Sequence, residues 1–152
     1  MKVLFQKIYE NYLSKLQDYP EKDAKAAIQL QQIFYRMTKY FIENFNTANF
    51  LTEALYRSKA ASYFTNYRVQ HFIFIRTLIE QAQREGDICS DMNSYEIYTT
   101  LQSILIQPII IKNNILQQHK NEPLMDKLKL IDVSSESSLQ KRLRIAFKGL
   151  RP

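Results

Sequence analysis

The sequence holds 152 residues with a formal charge of +6, and it has only 2 glycines and 4 prolines, which excludes an all-β fold with its many tight turns. The length suits one domain, 1–152, with an apolar core of its own. The single cysteine, Cys89, excludes an internal disulfide and fits a reducing cytoplasm, while the longest apolar run, Ile104 to Ile111, is too short to span a bilayer.

The opening Met1 to Phe5 passes at once into polar residues on a helical period, unlike a signal peptide. Over residues 3–19, Phe5, Ile8, Tyr9, Tyr12, Leu13 and Leu16 recur at steps of three and four, the pattern of an amphipathic helix. Tyr19-Pro20 ends it, because a residue before proline avoids the helical region. A second helix is predicted from about Asp23, as N-cap, to Asn44. Its stripe of Leu30, Phe34, Met37, Phe41 and Phe45 reads first as plain core and second as the wall of a ligand pocket. Asn46-Thr47 makes a break, and a third helix follows over Ala48 to Ala60, with Arg57 and Lys59 at its end and Ser62 or Thr65 capping the next.

Residues Tyr63 to Gly86 read as a long helix stopped by glycine. Phe72, Ile73, Phe74 and Ile75 are consecutive, so apolar groups point all round its axis, and it is expected to be the centre of the molecule. Tyr67, His71, Phe74 and Leu78 share one stripe, with Phe72, Ile75, Ile79 and Ala82 beside it. Arg76 and Glu80, four apart, can pair. Gly86-Asp87 turns the chain, and Asn93 with Glu96 forms a capping box for the next helix. Pro108 is expected to kink that helix, which runs to Leu116. Residues 117–134 read as a long connection with a short helix near Leu124 to Leu130. The last helix runs from Ser135 or Ser137 to Lys148. Its apolar side is Leu139, Leu143, Ala146, Phe147 and Leu150, its wet side is Lys141, Arg142, Arg144 and Lys148, and Gly149 is its cap.

The fold class is therefore all-α, a single bundle of six to seven helices. The helix at Asn93 to Leu116 is apolar on more than one face, which calls for a partner, most simply a second copy of the chain. No catalytic constellation stands out. His71 and His119 are far apart, Cys89 lies in a polar turn, and no metal-ligand spacing or phosphate-binding glycine loop occurs, so no enzyme, metal or cofactor is expected. The positive charge fits either solubility or an anionic partner, but neither glycine sits in a helix-turn-helix context.

Three stretches resemble the C-terminal, effector-binding and dimerisation part of TetR-family transcriptional regulators: LFQKIYENYL at 4–13, FIFIRTLIEQAQREGDI at 72–88, and FKGLRP at 147–152. The resemblance implies an all-helical domain that encloses an apolar pocket for an apolar or amphipathic small molecule, and a cytoplasmic homodimer. Its pocket would be lined by Phe34, Met37, Phe41, Tyr67, His71, Phe74, Leu78, Tyr98 and Gln102. Its dimer surface would carry Leu105, Ile106, Ile109, Leu139, Leu143 and Phe147. The family's helix-turn-helix precedes the first stretch, and Met1 stands near that boundary, so DNA binding is expected only through an element missing here. The alternative is a helical protein-interaction module without a small-molecule ligand.

Overall fold

The computed structural model describes residues 2–17, 20–53, 65–119 and 122–152, apart from the side chains of Lys2, Gln17, Thr52, Tyr67, Arg68 and Leu124. Among these residues the chain is all-α, with eight helices and no strand. They are α1 (Lys2–Gln17), α2 (Ala26–Glu43), α3 (Phe45–Thr52), α4 (Thr65–Arg84), α5 (Ser94–Leu105), α6 (Gln107–Gln118), α7 (Leu124–Lys129) and α8 (Glu136–Gly149). No helix of the described residues is long and apolar enough to cross a membrane.

The hub is α2. It packs against α1, α3, α4, α5, α6 and α8. The apolar run of α4 points to that helix as the centre, but α2 holds the place. On α4 the buried residues His71, Ile75, Leu78, Ile79 and Ala82 form one stripe against α2 and α5, whereas Ile73 is 52% exposed and Phe72 and Phe74 are half-buried. Four consecutive apolar residues here do not mean burial all round. The helix has a single inward face, and two of the four lie at its margin. On α2, by contrast, Leu30, Ile33, Phe34, Met37, Thr38 and Phe41 are all buried.

Helix ends show how local chemistry sets the register. The end of α4 is a Schellman turn: Gly86 has φ 76°, its N–H donates to the Gln83 carbonyl at 3.1 Å, and the Asp87 N–H donates to the Ala82 carbonyl at 3.0 Å. That turn sets Glu85 and Asp87 on either side of the start of α2. The Glu85 carboxylate accepts from the Ala26 N–H at 3.0 Å, and Asp87 pairs with Lys25 at 3.2 Å. The predicted N-cap, Asp23, does not cap α2. The N-cap position is Lys25, whose side chain cannot accept from the helix's N–H groups, so a distant carboxylate fills the role.

Asn93 and Glu96 form the expected capping box, and Arg76 pairs with Glu80 at 2.6 Å. The break before the third helix falls at Asn44 rather than Asn46. The expected stretch Ala54 to Ala60, with Arg57 and Lys59, and the cap at Ser62 lie outside the described residues. Gly149 lies inside the last turn of α8 and Leu150 takes the C-cap position, so Gly149 is not the cap expected of it.

Pro108 splits the predicted Asn93–Leu116 helix into α5 and α6, which raises the helix count above the six to seven expected. Proline tolerates the first turn of α6 because N–H groups there have no intrahelical acceptor.

Candidate ligand-binding site

Three helices carry the polar-aromatic part of the core. Helix α4 brings His71, α5 brings Tyr98 and Gln102, and α1 brings Tyr12. The His71 ring lies 6.3 Å from Tyr98 and 6.1 Å from Tyr12, centre to centre. Tyr98 also meets Phe34 of α2 at 6.3 Å and Phe72 at 5.5 Å, both edge to face, the arrangement that ring quadrupoles favour. Gln102 donates from Nε2 to the Tyr98 hydroxyl at 2.7 Å, one turn along α5.

His71 is 7% exposed, and its Nδ1 is buried without a hydrogen-bond partner. The other buried polar side chain of the described residues, Thr38, donates its hydroxyl to the Phe34 carbonyl at 2.7 Å. Burial alone pushes the His71 imidazolium down to about 4, so the ring is neutral at neutral pH. A neutral imidazole carries one donor and one acceptor nitrogen. A buried one left unbonded costs about 1–3 kcal/mol.

Of the nine predicted pocket residues, the structure brings Phe34, His71, Tyr98 and Gln102 together. Met37, Phe41 and Leu78 are buried in the same core, and Phe74 is packed against it from a half-buried position. The Tyr67 side chain lies outside the described residues. Tyr12 and Phe72 belong to the cluster but were not predicted. Tyr12 was legible as an inward residue of the first helix, but nothing in the sequence says which helix it faces.

The six residues expected on a dimer surface lie elsewhere. Leu105, Ile106, Ile109, Leu139, Leu143 and Phe147 are all buried within one chain. The reason is that α8 packs between α2 and α5, and α6 packs against α2, so these stripes cover one another. What remains outward includes Ile111, 54% exposed, and Ile145, 64% exposed.

Among the described residues no group of three His, Cys, Asp or Glu side chains is arranged to hold a metal ion. The Cys89 thiol is pushed up by burial and by the Asp91 carboxylate beside it, which keeps it protonated. Comparison with protein-family models, with curated proteins and with solved structures finds no match to this chain.

Proposed function

We propose that this chain is the effector-binding and dimerising part of a TetR-like transcriptional regulator, and that an apolar or amphipathic small molecule docks beside His71. The observation that supports this most is the unbonded, neutral His71 among Tyr12, Tyr98, Phe34 and Phe72. A ligand that supplies the missing hydrogen bond recovers free energy that the unbonded ring forgoes. Its rings or chain would find aromatic partners, and the Gln102–Tyr98 pair would orient a second polar group.

The role is binding rather than catalysis, and it calls for no cofactor. Signalling requires that the ligand prefer one arrangement of two subunits over another. A second copy would meet the outward sides of α6 and α8 through residues such as Ile111 and Ile145, since the inner stripes are occupied. DNA would be reached only through a helix-turn-helix outside this sequence.

The test is thermal unfolding against a panel of fatty acids, phenols and flat aromatic amines. At least one class should raise the melting temperature of the wild-type chain and fail to do so for His71→Phe. A panel that leaves both proteins unmoved, together with unchanged NMR signals on α4 and α5, would remove this reading.

A further inference from the structure

Three adjoining hollows of about 400, 460 and 390 Å³ run along the seam between α2 and α8. Gln31 lines all three. Leu143 joins one pair, and Phe147 with Arg151 joins the other, so they form one groove. On α2 it extends from Lys25 to Arg36, which at 1.5 Å per residue is about 17 Å, or three helical turns.

The groove has a distinct chemistry. Its lining is mixed: Leu143 and Phe147 each show only a narrow edge, Ile88 is buried, and Ile28, 45% exposed, stands on its α2 bank. Its other bank is a row of exposed cations: Arg144 and Lys148, four apart on one side of α8, and Arg151 just past the end of that helix. None of the three forms an ion pair among the described residues. Of the two carboxylates on the rim, Asp87 is already paired with Lys25, leaving Glu21 at the far end.

We propose that this groove is a docking site for an acidic amphipathic helix of about three turns on a partner protein, its apolar stripe against Ile28 and the narrow edges of Leu143 and Phe147, and its carboxylates along Arg144, Lys148 and Arg151. Charge argues against a second copy of this chain as the occupant. Many of its own carboxylates are engaged locally, among them Glu43 with Lys39, Glu80 with Arg76, Glu122 with His119, Asp126 with Lys129, and Glu85 and Glu96 at helix starts. Nucleic acid fits less well. Phosphates would meet the cations but would lay a charged backbone over Ile28, and Phe147 is too deeply set to stack on a base.

The test uses two labelled peptides of about 14 residues and identical composition, built from Leu, Ala and Glu, one with the leucines on a helical stripe flanked by glutamates and one shuffled. Fluorescence anisotropy should show the striped peptide binding at least roughly tenfold more tightly than the shuffled one. NMR shifts should concentrate at Gln31, Leu143 and Phe147. The triple variant Arg144→Glu, Lys148→Glu, Arg151→Glu should lose at least about tenfold in affinity while keeping its melting temperature, because all three side chains are exposed. Ile28→Ser should weaken the striped peptide and leave the shuffled one unchanged. Equal binding of both peptides, an unaffected triple variant, or tighter binding to duplex DNA or anionic vesicles than to the striped peptide would each overturn the proposal.

Discussion

Arg142 of α8 donates from Nη1 to the carbonyl of Leu105, 37 residues away, at 3.0 Å. That carbonyl is open because of Pro108. At the α5–α6 break the Ile109 N–H donates to Ile106 at 3.0 Å, a step of three, and the Ile110 N–H donates to the same Ile106 carbonyl at 3.3 Å. In an unbroken helix Ile109 would have bonded Leu105. The guanidinium therefore fills a vacancy that the proline creates. Its other arm, Nη2, donates to the Val133 carbonyl at 2.6 Å and fastens the connection between α7 and α8.

Arg142→Met should be strongly destabilising, since it leaves both carbonyls without that donor in a half-buried setting. Hydrogen bonds to a charged group are worth about 1.5–3 kcal/mol each, so a loss of about 3 kcal/mol is expected in urea unfolding. Arg142→Lys keeps one arm at most and should fall between wild type and Met. A loss under about 1 kcal/mol for Met would show that water replaces the guanidinium freely.

Gly86→Ala isolates the backbone term at the end of α4. An added Cβ would meet nothing within 4 Å, so the cost comes only from φ 76°. A loss of about 1 kcal/mol is expected, read as a drop in melting temperature with an unchanged helical CD spectrum.

Glu85→Ala should cost about as much for a different reason. It strips the first N–H of α2 of its carboxylate acceptor, and loss of an N-terminal cap is worth about 1 kcal/mol. Glu85→Gln keeps an oxygen acceptor but no charge and should cost less. Because α2 is the hub of the fold, hydrogen exchange at its first turn should speed up in both variants.

The pattern of success in the sequence follows from range. Asn93 with Glu96, Arg76 with Glu80, and the glycine stop at Gly86 are each decided within one helical turn, and each was legible. The inner stripe of α1 was legible too, because burial of Phe5, Tyr9, Tyr12 and Leu16 needs only a periodic face. What was not legible is which faces meet. Arg142 was assigned to the wet side of α8 because its neighbours Lys141 and Arg144 are exposed, and no local signal says that Leu105 lies opposite. The same blindness hid Glu85 as the cap of α2 and Tyr12 as a neighbour of His71. It also assigned Leu139 and Leu143 to a partner when α2 and α5 of the same chain already covered them.

His71 gives the sharpest pH test. Burial lowers its folded value to about 4 from 6.5, so the folded ring stays neutral while the unfolded ring picks up a proton. The unfolded state then binds more protons between those two values. Stability from this group is fully present above pH 6.5 and is lost as pH falls toward 4, the loss amounting to about 3 kcal/mol at the acid end. His71→Phe has no such group and should lose far less stability between pH 7 and pH 5. It should also be more stable than wild type at neutral pH by about 1 kcal/mol or more, because a buried nitrogen without a partner is replaced by a ring that needs none. Urea unfolding at pH 7, 6 and 5 measures both effects. Parallel curves for the two proteins would mean that the His71 ring is hydrated in the folded state. A wild type steeper in pH yet more stable at pH 7 would mean that Nδ1 is bonded there.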